Sequence, residues 1–157
     1  LGTIDSQDVT NLPDKPLDLS LTGQPRTSSD AESQYNASYQ AGTRGDYTVA
    51  TEQLKQFLSL YPDDPHAADA TNWLGEALLQ QRNYEDAAQV LVDGFKKFQD
   101  SPRAADILLK LGIALAGADE VPAACKTFAE TERRYPNASP AFKKRLGEEM
   151  AKAKCPA

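Results

Sequence analysis

A chain of 157 residues, 40% of them hydrophobic, is long enough to build one domain with a sizeable core. Its net charge of −6 and pI near 4.8 argue against a nucleic-acid partner, because proteins that neutralise phosphates carry the opposite sign. No apolar run reaches the roughly 20 residues of a membrane span, no basic-then-apolar leader opens the chain, and a single His with two Cys is a thin inventory for catalysis.

The chain starts at Leu1 and not at Met, the start expected of a mature or trimmed fragment. Residues 1–29 carry Pro13, Pro16 and Pro25, show no helical period, and set Asp5, Asp8, Asp14 and Asp18 against Lys15 and Arg26. That composition reads as an acidic, Pro-containing linker. One alternation, PLDLSL, suits an extended piece, and with it the alternative of an arm docked on a neighbouring surface. Helical pattern begins at SSDAE, where Ser29 as N-cap and Glu32 three residues on have capping-box spacing. From there to about residue 150 the chain is rich in Ala, Leu, Glu, Lys and Gln, and no period-two run appears. Residues 30–157 are expected to form an all-α domain.

Internal repetition sets the architecture. Tyr61 in LYPD, Phe98 in KFQD and Tyr135 in RYPN stand 37 residues apart. Leu74-Gly75 and Leu111-Gly112 keep that spacing, as do Ala50, Ala87 and Ala124, with Leu54, Leu91 and Phe128 beside them. DPHAADA from Asp64, SPRAADI from Ser101 and SPAFKKR from Ser139 each pair a capping residue with Pro, which fits a first helical turn. Gly75 and Gly112 fall inside helices, where each costs up to about 1 kcal/mol against Ala; such a cost is tolerated where another helix approaches closely. Tyr47, Tyr84 and Val121 start the second helices and are placed to wedge between units.

These positions resemble the tetratricopeptide repeat, with its Leu-Gly step, aromatic after a polar turn, Ala in the second helix and terminal Pro. The resemblance implies three helix–turn–helix units, about 31–67, 68–104 and 105–138, in a right-handed solenoid. SPAFKKRLGEEMAKAK, about 139–153, would be the polar C-terminal capping helix that such a stack needs. The first unit departs most, with Ala37 and Ser38 in place of Leu-Gly, and the second has Gln99 where the terminal Pro would stand.

In such arrays the first helices line the concave face. The resemblance maps its groove positions onto Tyr35, Tyr39, Asp69, Asn72, Glu76, Leu79, Asp106, Leu109 and Ile113. Several of these are four apart and so share a helix face. Trp73 sits two residues after the usual Trp position, here Thr71, and is either packing or a groove-edge anchor. The carboxylate clamp of chaperone-tail binders is not matched, because Tyr35 and Tyr39 stand in its place and Asp69 and Asp106 add negative charge. Residues 31–100 hold eleven acids and five bases, and residues 101–157 seven acids and ten bases. The basic end gathers Arg133, Arg134, Lys143, Lys144 and Arg145.

A last helix folding back would bring Cys155 to Cys125 in the second helix of unit three; the alternatives are a disulfide, implying an oxidising compartment, or two unpaired small residues. His66 among Asp63, Asp64 and Asp69 belongs to a linker and helix start, where Asp64 serves as a cap and not as a metal ligand. Asn36 and Asn137 match a glycosylation acceptor pattern, but the first falls in a helix and Pro140 closes the second. No nucleophile–base pair or phosphate-cradling loop is visible, so neither an enzyme nor a cofactor or metal site is expected.

The runs FLSLYPDDPHAADATNWLGEALLQQRNYEDAAQVL and DSPRAADILLKLGIALAGADEVPAACKTFAETERRYPNASP are similar to the C-terminal domain of the YbgF (CpoB) family of the Tol–Pal system, over about residues 30–155. That resemblance implies a non-enzymatic module in the periplasm of a Gram-negative bacterium. It would bind TolA and coordinate outer-membrane constriction with the septal peptidoglycan synthesis machinery during cell division. The family trimerises through an upstream coiled coil; residues 1–29 show no heptads, so this fragment is expected to be monomeric. Outer-membrane assembly lipoproteins of the BamD type share much of the YPDDPHAADATNWLGE run and supply the alternative, an envelope assembly or secretion scaffold.

Overall fold

The computed structural model describes residues 28–156, the side chains of Ser28 and Ser29 excepted. The arm over 1–27, its PLDLSL alternation and the proposed capping side chain of Ser29 lie outside the described residues. Seven α-helices follow in order: α1 Ser28–Thr43, α2 Tyr47–Leu60, α3 Ala67–Gln80, α4 Tyr84–Lys97, α5 Ala104–Gly117, α6 Val121–Arg134 and α7 Pro140–Lys152. They form a solenoid of helix–turn–helix repeats, the pairs α1–α2, α3–α4 and α5–α6 being the units.

Each pair turns by the same device. The three-residue connections place Gly45, Arg82 and Asp119 at positive φ (84°, 59° and 63°). The residue after each returns its N–H to the carbonyl five residues back: Asp46 to Ala41, Asn83 to Leu78 and Glu120 to Leu115, all at 2.9 Å. This is the Schellman ending, which satisfies carbonyls left open at a helix C-terminus. Helix α7 ends alike, with Lys154 at φ 58° and Cys155 N–H bonded to Met150 at 3.0 Å. Gly stands at the left-handed position only in the first unit.

The helix starts differ from the sequence expectation. Helix α1 includes Ser29 instead of beginning after it. Ser139 does cap α7, its Oγ accepting from Phe142 N–H at 3.2 Å. Asp64 and Ser101 do not cap α3 and α5, which begin three residues later. Their side chains accept from the N–H two residues on, at His66 (2.8 Å) and Arg103 (3.1 Å). A local turn wins there, as short polar side chains favour.

The 37-residue register appears directly in the packing. Ala50, Ala87 and Ala124 are at most 1% exposed, as are Leu54, Leu91 and Phe128. A Cβ on Gly75 would meet Leu91 Cδ2 at 2.4 Å, and one on Gly112 would meet the Phe128 ring at 2.4 Å. In unit one the small residue is Ser38, 1% exposed, whose hydroxyl donates to Tyr35 O at 2.6 Å. Tyr84 wedges against Gly117 at the end of the next unit's first helix. Val121 does not repeat this and is 36% exposed.

The main core runs from α1 to α5, and a smaller one joins Leu109, Ala124 and Phe128 to Leu146 of α7. Cys125 and Cys155 form a disulfide, with Cα atoms 5.4 Å apart, that fixes the far end of α7 to α6. First helices touch one another, α1 to α3 and α3 to α5, while α2, α4 and α6 pack chiefly on first helices and α6 also on α7. The stack is therefore tighter along α1, α3 and α5, which makes theirs the inner face. No helix among the described residues is long and apolar enough to cross a membrane.

Candidate functional site

The inner face begins with an aromatic group. Tyr39 is 42% exposed and meets Trp73 of α3 edge-on, ring centroids 5.0 Å apart. One turn earlier, Tyr35 stacks on His66 at 4.7 Å and leans on buried Phe57 at 5.9 Å. Burial, and then the charge of Asp69, push the Tyr35 hydroxyl above its ordinary pKa, so it stays a neutral phenol. His66 is held by Asp64, Nδ1 to Oδ1 3.1 Å. Trp73 is displaced from the usual repeat position for a steric reason. Thr71 occupies that position, 4% exposed, and a Cβ on Gly94 of α4 would meet Thr71 Cγ2 at 2.3 Å. The indole moves to the next face, where it packs half in the core and half towards Tyr39.

Below these rings lies a hollow of about 120 Å³ between α1, α2 and α3. Its lining includes Ser38, Tyr39, Gly42, Tyr47, Ala50, Leu54, Trp73, Glu76 and Ala77.

Further along the face, charge replaces aromatics. Lys110 of α5 is 7% exposed and donates from Nζ to Asn72 Oδ1 at 2.8 Å. Glu76 Oε2 lies 3.7 Å from Lys110 Nζ and 3.8 Å from an Arg145 nitrogen of α7, while its Oε1 accepts from Gln80 Nε2 at 3.0 Å. Burial outweighs the nearby carboxylate and holds the Lys110 pKa below the usual ammonium value. Arg103 bridges Asp69 at 2.6 Å and Asp106 at 3.7 Å.

The ten residues read as a groove thus separate by environment. Tyr35, Tyr39 and Trp73 stand together on α1 and α3. Asn72, 8% exposed, and Glu76 belong to the Lys110 cluster and are largely engaged. Asp69 and Asp106 share Arg103, which offsets part of the negative charge expected of them. Leu79 packs on the main core. Leu109 is corrected: at 1% exposure it is core, enclosed with Phe128 and Leu146, and Ile113 packs on the same cluster. The capping helix occupies the inner positions of unit three. Sequence reading passed over Lys110 and Arg103 and placed Arg145 in the basic C-terminal cluster, not against Glu76. A lysine inside the apolar run ILLKLGIAL was the available signal, because a charge there must find partners.

Two tetratricopeptide-repeat family models match the chain, over residues 35–93 and over 106–138, together more than half of it. Among curated proteins nothing matches. The crystal structure of the Sgt2 tetratricopeptide domain from Aspergillus fumigatus is similar at a TM-score of 0.64 and 18% identity, over 83% of this chain and 85% of that one. At that identity the likeness concerns the fold alone. With the repeated turn, the Gly75 and Gly112 contacts and the two matched stretches in agreement, the chain belongs to the tetratricopeptide-repeat family, whose domains are protein-interaction scaffolds.

Proposed function

We propose that this protein-interaction module serves the Tol–Pal division machinery in the periplasm, binding a segment of TolA along the α1–α3 face. In that role it would help coordinate outer-membrane constriction with septal peptidoglycan synthesis. The observation that carries the binding face is Tyr39, an aromatic ring 42% exposed yet set edge-on against Trp73 across two helices. Tyr and Trp are the residue types that dominate interface energy. The envelope assignment draws on the YPDDPHAADATNWLGE run and on the Cys125–Cys155 disulfide, which suits an oxidising compartment. The same run favours a second reading, a scaffold of the BamD-like assembly type; a lipobox Cys upstream supports that reading and a coiled coil upstream supports ours. The 157-residue chain itself is proposed to be monomeric, and a stable trimer at micromolar concentration in sedimentation would contradict this.

Capture of the TolA periplasmic region by the immobilised chain tests the function. Tyr39→Ala is expected to weaken capture at least tenfold with the unfolding midpoint nearly unchanged. Undiminished capture would move the interface to the second-helix face or the loops, and no capture by the parent chain would remove TolA as partner.

A further inference from the structure

The hollow under Tyr39 and Trp73 exists because of one residue. Gly42 stands where the repeat places Leu79 in unit two and Ala116 in unit three, and Leu79 packs on the core. The missing side chain, with the small Ala50 and Ala77, leaves about 120 Å³ open. A cavity of about 150 Å³ admits a benzene ring, so the space suits one branched aliphatic or phenyl group. Ala50, Leu54 and Ala77 are at most 3% exposed and form its floor. Among the described residues Glu76 is the only charged one lining it, and that carboxylate faces Lys110 and Arg145. Residues 31–100, which make up units one and two, hold eleven acids against five bases, and a net negative surface favours basic partners over acidic ones.

We propose that this hollow is an anchor pocket that takes a single phenylalanine- or leucine-sized side chain from a basic segment of a partner protein. The proposal rests on the reading of the α1–α3 face as a binding groove and adds the residue that the groove selects. In unit two the equivalent position carries Leu79, which packs on the core and leaves less room there.

Trp73 is the chain's single tryptophan, so its fluorescence reports on the pocket wall. The probes are three peptides with acetyl and amide ends: Lys-Gly-Lys-Phe-Lys-Gly-Lys, the same peptide with Ala for Phe, and the first with Glu for every Lys. The whole chain is expected to shift its Trp73 emission with the Phe peptide and to bind the Ala and Glu peptides at least tenfold more weakly. Gly42→Ala and Gly42→Leu separate pocket from fold. A Cβ at Gly42 meets only Ala50 Cβ, at 3.9 Å, an ordinary contact, and either residue is a better helix former than Gly. Both variants should bind the Phe peptide less well, Gly42→Leu at least tenfold, with unfolding midpoints equal to or above the parent. Equal affinity for Phe and Ala peptides, undiminished binding by Gly42→Leu, or no emission change at millimolar Phe peptide would overturn the proposal. If TolA capture fails while the peptide pattern holds, the partner assignment falls and the pocket stands. If TolA is captured equally by parent and Gly42→Leu, the groove reading stands and the pocket falls.

Discussion

Gly112→Ala sets two effects against each other in the centre of the domain. Replacing a helix-interior Gly by Ala stabilises by about 1 kcal/mol where nothing else changes. Here the new Cβ would lie 2.4 and 2.6 Å from two carbons of the Phe128 ring and 3.1 Å from a third. Carbon pairs rest near 3.5–4.0 Å, so the ring must retreat by roughly 1 Å. It has nowhere free to go, because Phe128 is 0% exposed and packed with Leu109, Ala124 and Leu146. Overpacking of this kind costs about 1–3 kcal/mol, occasionally more, and a rigid ring places it at the upper end. The net expectation is a loss of about 1–2 kcal/mol. Gly147→Ala is the matched control: it lies inside α7, nothing stands within 4 Å of its added Cβ, and it should gain up to about 1 kcal/mol. Urea unfolding with unchanged slopes reads both, and the two variants should differ by about 2–3 kcal/mol with opposite signs. In a Phe128→Leu background the Gly112→Ala loss should shrink, because a flexible side chain can yield. Gly112→Ala as stable as the parent, or equal effects at both glycines, would refute the claim that the Leu-Gly step exists for helix contact.

Lys110→Met should destabilise by about 1–3 kcal/mol because it leaves Asn72 Oδ1 buried without its donor; adding Asn72→Leu should recover much of that loss, which a double-mutant cycle in urea measures. Cys125→Ser opens a loop of 30 residues and should cost about 3–4 kcal/mol in the chain-entropy model, with amide exchange rising first in α7. Arg82→Gly should stabilise by about 0.5–1 kcal/mol, because φ 59° strains an ordinary side chain and suits Gly, whereas Gly45→Ala should destabilise at φ 84°; thermal midpoints decide both. Hydrogen bonds from Arg133 and Arg134 hold the Glu130 carboxyl down to about 2, so its small contribution is present above the ordinary value of 4.5 and is lost as pH falls towards 2; NMR titration of Arg133→Ala should move its midpoint back up.

The repeat was legible because its signal is steric. Small residues at 75, 112, 50, 87 and 124 mark where backbones approach, and a spacing of 37 carries them along the chain without reference to any partner. Helix starts were less legible, since Asp64 and Ser101 have the right chemistry for a cap but use it in a local turn three residues early. The aromatic part of the site could be read from Tyr35, Tyr39 and Trp73, which the first-helix positions bring together. The charged part could not, because Lys110, Arg103 and Arg145 acquire their meaning only through Asn72, Glu76 and Asp69 on other helices. A sequence periodicity names the face a residue occupies and says nothing of the charge opposite it.

The capping helix decides how much of the inner face remains for a partner. Helix α7, expected to fold back on unit three, places Leu146 on Leu109 and Phe128; its reach to Glu76 through Arg145 was not readable. A solenoid must cover the apolar face of its last unit, and here that cover buries Leu109 and leaves Ile113 half-buried against the same cluster. The Lys110 cluster then engages Asn72 and Glu76 in the middle of the face. What stays open is the end away from α7, where Gly42 leaves a hollow and Tyr39 an exposed ring. On the proposed reading, recognition therefore falls to unit one. On this argument Tyr39→Ala and Gly42→Leu should alter binding without loss of stability, whereas Gly112→Ala should lower stability and leave the Trp73 response of the folded fraction unchanged.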